Sequence, residues 1–425
     1  MSKREEIYLD ILHIYRSETV AGFVRFGRRM FYGTSFFEKI QNVIRFKAKM
    51  FRDFIVSIFG RKNNSSAELQ QKDWLYVLGG NNYHSLKFLE DPKTTVYVSP
   101  FKYQTPDVKP VQIILSNHFM NMLRCLPTFV ALSLKNKDIR RCWDIAFKAT
   151  GMYESSLTYL KKHQPRSIIF SNDHSLEPRA MLLAANKLNI PTFYVQHACI
   201  RTDFPPLKFT CSFLEGQDSL DKYRGSGAVE GQVELIGVPR IEAYLPKKRT
   251  RKTIKHIGLC SNLLDSLPVI EEVMKELRLA FPDHHLSYRP HPVDKRSIEL
   301  DSSISISNSK IENPFEFLLK QDLIIAGNTS IHYEAAMLNV YTVCYKLGIE
   351  GKTEDMYGFV KKELVTEVSS PEALVSLIKK SAETDGPDLK IVKYYNAVLN
   401  TANEGKSQDL VKKKIAEVLD SWVIN

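Results

Sequence analysis

Short apolar runs alternate with segments of helical periodicity along most of this chain, and the alternation occurs twice. In the first half, Ser167–Phe170 and Thr192–Val195 are strand-like and flank a helical pattern at 177–188. A charged, turn-rich stretch (PKKRTRK, 246–252) interrupts the pattern, which restarts with a strand at 254–259. Repeated strand–helix–strand units predict a parallel sheet covered by helices on both faces. We therefore predict an α/β protein with two Rossmann-like domains.

The same alternation sets the predicted domain boundaries. They are a basic helical extension (1–65), an N-terminal (66–247) and a C-terminal (248–385) Rossmann-like domain, and helices (386–425) that pack back on the N-terminal domain. A chain of 425 residues is too long for one ordinary domain and suits two. Ligands of open parallel sheets bind beyond the carboxyl ends of the strands, so we expect the site in a cleft between the two domains.

Composition excludes several classes of protein. With 44% hydrophobic and 25% charged residues, the chain has ordinary globular composition. It lacks the roughly 18 consecutive apolar residues that a membrane-spanning helix needs. Its six cysteines are scattered without a CxxC pair, so neither a disulfide framework nor a zinc cluster is predicted. The first residues (MSKREEIYLD) show no signal-peptide pattern, which predicts a cytoplasmic protein.

The net charge of +11 is concentrated near the N-terminus. Residues 1–63 hold 13 Lys and Arg against 6 Asp and Glu, a net charge of +7, and the cations are interleaved with phenylalanines. A basic, aromatic, amphipathic helix suits the surface of an anionic membrane, which we predict for residues 20–60. A helical pair that packs on the main body is an equal alternative. Nucleic-acid binding ranks lower, because the rest of the chain carries no such motif.

An acidic loop follows the strand that ends at Phe170. Its sequence is SNDHSLEPR (171–179), and its titratable residues are Asp173, His174, Glu177 and Arg179. Such a loop suits general-base catalysis and anion binding at a helix N-terminus. It also suits a plain helix cap by Asp173 or Ser175, and the two roles are compatible.

A second motif, YVQHA at 194–198, runs off the next strand and contains Gln196 and His197. A lone histidine after a strand is more often packed than catalytic. The acidic loop after the neighbouring strand raises the odds of a functional role. We therefore predict that Asp173 and His197 face one site.

Three motifs of the second half also follow strands. GLCSN (258–262) places Ser261 and Asn262 at the phosphate-facing turn, without the GxGxxG fingerprint of dinucleotide binding. In SYRPHP (287–292), two prolines restrict the backbone around His291 and hold it with Arg289 at a strand end. These donors suit a phosphate or diphosphate group.

The third motif is AGNTSIHYEAA at 326–336. Backbone N–H groups around Asn328 and the hydroxyls of Thr329 and Ser330 could cradle an anion, and Glu334 follows on the helix. A simple helix cap is the alternative. A further motif, GVPR at 237–240, is read mainly as a turn.

The acidic loop with Arg179, the QHA, GVPR and RPHP motifs and the strand–turn–Ser–helix–Glu element follow one another along the chain. In that order they resemble inverting glycosyltransferases of the GT-B fold. More narrowly, they resemble the group of capsule-type Kdo transferases, bacterial sialyl- and polysialyltransferases, and teichoic-acid glycerophosphotransferases. The resemblance covers roughly residues 74–350 and rests on short motifs. It implies an enzyme without a cofactor that moves a Kdo- or sialic-acid-like sugar from a CMP-activated donor. The implied acceptor is lipid-linked or a surface glycan of bacterial capsule or lipopolysaccharide synthesis, met at the cytoplasmic face of the inner membrane.

The resemblance also implies roles for individual residues. The nucleotide and its phosphate would be bound by Arg289, His291, Pro292, Asn328, Thr329, Ser330, Ser261 and Asn262, with Glu334 on the ribose. Asp173 or His197 would be the base that deprotonates the acceptor, and Glu177, Arg179 and Gln196 would lie on the acceptor side. No DxD motif is apparent, so we predict a reaction without a metal ion.

Three alternatives remain open from the sequence. A CDP-glycerol- or CDP-ribitol-type polyol-phosphate transferase would use the same scaffold, with a phosphodiester as its product. An enzyme like the UDP-sugar 2-epimerases would also have two Rossmann domains but needs no lipid acceptor. A membrane-surface scaffold with a degenerate site would tolerate substitution of Asp173, His197 or His291.

Overall fold

The computed structural model describes residues 2–16, 69–100, 109–113, 118–141, 143–250, 253–348, 355–381 and 387–423, with isolated positions between 36 and 55. Beyond residue 16, the predicted basic extension (1–65), with its membrane-contact segment 20–60, therefore lies largely outside the described residues. The chain divides into two compact units. The first comprises Met1–Leu214, Leu220–Glu234 and Gln408–Asn425, and the second comprises Glu215–Ser219 and Leu235–Ser407. Across the part of the chain that is described, none of the helices has the length and apolar character needed to cross a membrane.

The first unit is built on a seven-stranded sheet. Its strands are β1 (Asp73–Tyr76), β2 (Thr95–Ser99), β3 (Val111–Gln112), β4 (Ser167–Phe170), β5 (Thr192–Val195), β6 (Cys211–Leu214) and β7 (Gln232–Leu235). They lie in the order β3-β2-β1-β4-β5-β6-β7, and the pairs from β3 to β6 are parallel. Every residue of β1, β4, β5 and β6 is buried, as expected of parallel strands covered on both faces.

Helices surround this sheet. They are Lys3–Ile11, Gly80–Leu86, His118–Arg124, Leu126–Lys135, Lys137–Arg141, Trp143–His163, Leu176–Lys187, Gln217–Ser226 and Ser407–Val423. The long helix Trp143–His163 packs against both His118–Arg124 and Leu176–Lys187. The acidic loop therefore runs into a helix that is fixed by its neighbours.

The second unit repeats the plan with six strands. They are β8 (His256–Cys260), β9 (His285–Arg289), β10 (Ser305–Ile306), β11 (Leu323–Ala326), β12 (Tyr341–Tyr345) and β13 (Thr366–Val368). All pairs are parallel, in the order β10-β9-β8-β11-β12-β13. The helices are Leu267–Ala280, Pro314–Leu319, Ile331–Met337, Pro371–Ser381 and Leu389–Tyr395. The apolar face of Leu267–Ala280 packs into the core beside β8, β9 and β11.

The strand order reverses at one point in each sheet. The chain starts in the middle, builds outward to one edge, and returns past its first strand, so β1 lies beside β4 and β8 beside β11. Loops on either side of such a point run to opposite faces and leave a crevice at the carboxyl ends of the strands, where ligands bind. The predicted α/β class with two Rossmann-like sheets is confirmed.

Apart from the short segment Glu215–Ser219, the chain changes units at 234/235 and 407/408, whereas the boundaries expected from the sequence are 247/248 and 385/386. The difference arises because the GVPR turn packs within the second unit. A Cβ at Gly237 would overlap Val398 and approach Asn396, both from the segment that precedes the last helix. Gly216 likewise touches the backbone of Tyr395.

Gly237→Ala tests this close packing. Gly237 has φ +78°, and a methyl group there would overlap Val398. Gly358 has a similar φ of +74° but open space around it, so Gly358→Ala is the matched control. We expect the left-handed backbone to cost about 1–2 kcal/mol at either site. Overpacking should cost Gly237→Ala about 1–3 kcal/mol more. Equal losses of unfolding free energy in urea titrations would contradict the packing described here.

Candidate functional site

Loops that follow three strands of the second unit are tied together where the strand order reverses. After β8, the backbone N–H of Ser261 donates to the carbonyl of Arg289 at the end of β9 (3.1 Å). Asn262 then donates through Nδ2 to the carbonyl of Asn328, which follows β11 (3.5 Å). The hydroxyl of Ser261 also bonds to the Tyr288 hydroxyl (2.7 Å). The structure thus brings together the predicted nucleotide-side loops.

His291 lies half-buried in the loop after β9, beside the exposed Pro292. Its Nδ1 accepts the backbone N–H of Val293 (3.4 Å), and its carbonyl accepts the N–H of Asp294 (2.8 Å). Because Nδ1 is an acceptor, the neutral ring carries its proton on Nε2. The imidazole can therefore offer an Nε2–H donor to an anion.

Arg289 is buried, and its terminal nitrogens are already used within the second unit. Nη1 donates to the Ser307 hydroxyl (2.7 Å), and Nη2 donates to the Glu312 carbonyl (2.9 Å). The guanidinium carbon lies 5.5 Å from the centre of the Phe317 ring. Burial lowers the pKa of Arg289, against the pull of nearby acidic groups. A direct bond from these nitrogens to phosphate does not fit this arrangement. Arg289 instead supplies a fixed guanidinium at the strand end, with the Glu312 carboxylate 3.6 Å away.

The turn after β11 has an unused hydroxyl. Ser330 precedes the helix Ile331–Met337, but its side chain makes no capping hydrogen bond, and both Ser330 and Thr329 are half-buried. The plain cap considered from the sequence is therefore not formed. This hydroxyl and its neighbour suit the oxygens of a bound phosphate.

A buried histidine in the following helix stabilises this turn through two hydrogen bonds. His332 donates through Nε2 to the Gly327 carbonyl (2.8 Å), and its Nδ1 accepts the Thr342 hydroxyl (2.5 Å). The tautomer follows because a carbonyl can only accept. Burial lowers the pKa of His332 to about 4, so the ring stays neutral at pH 7.

An arginine read from the sequence as part of a turn joins two buried carboxylates. Arg240 donates to Glu215 and, through Nη2, to Oε1 of Glu334 (3.2 Å). Tyr333 donates its hydroxyl to the other oxygen of Glu215 (3.1 Å). Burial raises the pKa of both Glu215 and Glu334, although Arg240 opposes the effect. Glu215 is not among the residues predicted from the sequence, although it directly follows β6, in the kind of position where functional loops leave a parallel sheet.

Asp265 links the loops after β8 and β11. Its carboxylate accepts the backbone N–H of Asn262 (2.7 Å). It also lies so close to Gly327 that a Cβ there would be 2.9 Å from an Asp265 oxygen. Burial raises the pKa of Asp265 to about 6, partly offset by the Asn262 hydrogen bond and the charge of Arg296.

Asp265→Asn should flatten the dependence of stability on pH. With a folded pKa of about 6 against 3.8, the folded state binds the proton more tightly, so ionisation between pH 4 and 7 favours unfolding. The penalty at pH 7 is up to about 3 kcal/mol. We expect Asp265→Asn to stabilise the protein at pH 7.5 but not at pH 4 in urea titrations. The exposed Asp283→Asn serves as control, and parallel curves for wild type and Asp265→Asn would refute the shift.

In the first unit, Asp173 is buried and both of its oxygens are engaged. Oδ1 bonds to Nδ1 of His174 (3.0 Å), and Oδ2 accepts the Tyr223 hydroxyl. A carboxylate only accepts, so Nδ1 of His174 carries the proton and Nε2 is the free acceptor position. The half-buried His174 ring packs against Phe204, with ring centres 4.1 Å apart and the ring planes 32° apart. Burial and the charge of Asp173 raise the pKa of Tyr223, which keeps this hydroxyl protonated.

The loops that carry Asp173 and His197 leave the same edge of the first sheet. In the register of β4 and β5, Phe170 pairs with Tyr194. Asp173 and His197 each follow that pair by three residues, which confirms that their strands are neighbours. Gln196 is buried and donates through Nε2 to the Ala198 carbonyl (2.9 Å), so it shapes this loop.

The other two acceptor-side candidates are held by internal partners. Arg179 is fully buried, donates through Nε to Asp10 (2.5 Å), and donates through Nη2 to the Pro206 carbonyl (2.8 Å). Complete burial does not fit a contact between Arg179 and an acceptor. Its role is to tie the first helix to Leu176–Lys187. Glu177 accepts a hydrogen bond from Nζ of Lys148 (3.1 Å).

Comparison with known proteins identifies the fold. No protein-family model matches this sequence, and no curated protein matches it. A variant of the wall teichoic acid polymerase TagF is 11% identical with a TM-score of 0.50, over 89% of this chain and 98% of that chain. The glycotransferase of kitacinnamycin is 12% identical with a TM-score of 0.50, over 81% and 99%. UDP-GlcNAc 2-epimerase from Methanocaldococcus jannaschii is 12% identical with a TM-score of 0.49, over 81% and 99%.

At these identities the likeness concerns the fold alone. The two parallel sheets with their surrounding helices have the GT-B architecture.

Proposed function

We propose that this protein is a transferase that moves a group from a nucleotide-activated donor to an acceptor hydroxyl. One observation carries the proposal. At the switch point of the second sheet, the loops after β8, β9 and β11 are bonded together; the loop after β9 carries His291, two residues beyond Arg289, and the loop after β11 carries Ser330. Loops at such a point are where open parallel sheets bind nucleotides.

The departing nucleotide phosphate gains negative charge as the donor bond breaks. The Nε2–H of His291 and the hydroxyls of Thr329 and Ser330 are donors for that charge, and Arg289 adds a buried cation. Glu334, held by Arg240, accepts hydrogen bonds from ribose hydroxyls. In our proposal these groups act in place of a metal ion, and no cofactor takes part.

For the donor we favour a CMP-linked Kdo- or sialic-acid-like sugar, transferred with inversion in bacterial capsule or lipopolysaccharide synthesis. The sequence motifs support this choice. A CDP-linked polyol phosphate is the alternative, and the fold shared with a wall teichoic acid polymerase is compatible with it. The acceptor is a glycan or a lipid-linked saccharide at the cytoplasmic face of the inner membrane. The contact of residues 20–60 with that membrane lies outside the described residues.

The acceptor hydroxyl needs a base, which we place on the loops after β4 and β5. Asp173 is buried and each of its oxygens already accepts a hydrogen bond, so in our proposal it acts by orienting His174, whose Nε2 takes the proton. The Tyr223 hydroxyl holds the carboxylate from its other side. This arrangement parallels the acid–histidine pair of hydrolase triads. His197 on the neighbouring loop is the second candidate for the base.

Nucleotide binding is the first test. We expect CMP or CDP to raise the melting temperature of the purified protein, with no effect of EDTA. At 100 times its dissociation constant a ligand stabilises by about 2.7 kcal/mol, which is readily measured. His291→Ala should abolish the shift, whereas His285→Ala, at the other end of the same strand, should keep it. A CMP preference points to Kdo or sialic acid, and a CDP preference to a polyol phosphate. A response to UDP alone, or to no nucleotide, would contradict the proposal.

Catalysis by His174 is tested by kinetics with the donor that binds. His174→Gln should lower kcat for nucleotide release about 10²–10⁴-fold, because a positioned base contributes that much. Its nucleotide-induced thermal shift should stay that of wild type, since the substituted ring lies in the first unit. The exposed His84→Gln is the control. Should His197→Gln lose more activity than His174→Gln, the base assignment to His174 is wrong.

A further inference from the structure

Large apolar side chains are exposed together on one stretch of the first unit. Six of them, between 41% and 75% exposed, fall within 24 residues: Met120, Leu123, Leu126, Val130, Leu134 and Trp143. In the rest of the described chain beyond residue 55, only five large apolar side chains are so exposed, and they are scattered. Single exposed apolar residues are ordinary, whereas a cluster marks an interaction surface. We call residues 118–143 the docking surface.

The spacing shows that three of the six exposed residues share one helix face. Leu126, Val130 and Leu134 recur every four residues along the helix Leu126–Lys135, so they project from the same side. Leu132 of the same helix is buried. The helix therefore has a packed side toward the unit and an apolar side toward solvent.

Cations flank this apolar face in the sequence. The docking surface contains five Lys and Arg against one Asp, a net charge of +4, and the side chains of Arg124, Lys137 and Arg140 are exposed. Lys135 has an acidic neighbour, Glu5, at 3.6 Å. Helices that combine an apolar face with flanking cations lie in the interface of anionic bilayers.

Charge decides between the possible occupants. A second copy of the docking surface would set +4 against +4, and the basic segment 1–63 would bring a further +7. Anionic lipid headgroups complement the cations, and acyl chains receive the apolar side chains. We propose that the docking surface binds the anionic face of a membrane.

Packing connects the docking surface to the acidic loop. Trp143 opens the helix Trp143–His163, and Lys148 follows five residues later, about 7 Å along the helix axis. Lys148 bonds to Glu177, which lies in the first turn of the helix after Asp173 and His174. When the docking surface is bound to a membrane, the acidic loop is therefore held close to the lipid headgroups. This consequence rests on the proposed function, because it assumes that the acceptor is carried by a lipid.

Tryptophan fluorescence of the full-length protein tests the proposal locally. The chain has three tryptophans. Trp74 is fully buried and donates to the Leu69 carbonyl (2.9 Å), and Trp422 is removed as Trp422→Phe, which leaves the half-exposed Trp143 as the reporter. We expect vesicles of phosphatidylcholine with phosphatidylglycerol to shift the emission to the blue, and brominated lipids to quench it. Phosphatidylcholine alone should do neither. Sedimentation with the mixed vesicles but no quenching of Trp143 would mean that another segment binds, and the proposal would fall.

A double substitution provides a second test of membrane binding. Val130→Glu with Leu134→Glu should weaken vesicle binding at least about tenfold, since each removes apolar surface and adds an anion. Leu279→Glu changes a similarly exposed leucine of the second unit and should bind as wild type. Unchanged binding by the double variant, or a blue shift that depends on protein concentration without vesicles, overturns the proposal. The nucleotide-induced thermal shift of each variant reports separately on the proposed transferase, so the two ideas can fail independently.

Discussion

Parallel strand pairing is the constraint on which the rest of this structure depends. Parallel neighbours can be joined only by a crossover, and each crossover returns the chain so that all strands end at one edge. Both sheets therefore collect their strand-end loops on one side, and the reversal of strand order opens a crevice among them. The chemistry-bearing loops of each unit meet because of this geometry, although they are far apart in sequence.

Elements that are deeply buried could be predicted well. The strands Ser167–Phe170 and Thr192–Val195 lie where the apolar pattern predicts them, and the helical pattern at 177–188 corresponds to the helix Leu176–Lys187. Elements with weak patterns were missed. Thr366–Val368 is a short, partly exposed edge strand without a clear alternation of apolar and polar residues. It is a strand because it pairs with β12, and its own sequence does not indicate this.

The candidate site was predictable in its location but not in its contacts. The rule that ligands meet strand-end loops selected the loops of Asp173, His291 and Ser330. It could not show that Asp173 is occupied by Tyr223, because the two are separated by fifty residues. Nor could spacing reveal the inward turn of Arg289. Which atoms of an arginine remain available depends on partners that only the folded chain supplies.

The pairing of Asp10 with Arg179 has a consequence for how this sequence can evolve. Arg179 is fully buried, and its charge is balanced by Asp10, whose other oxygen lies 3.0 Å from Nζ of Lys208. Replacing either residue alone leaves a buried charge without its partner and destabilises the fold. Replacing both with apolar residues of similar volume costs much less stability. The two positions are therefore expected to change together or not at all. In an alignment of homologues, positions 10 and 179 should therefore covary, as expected of two residues in contact.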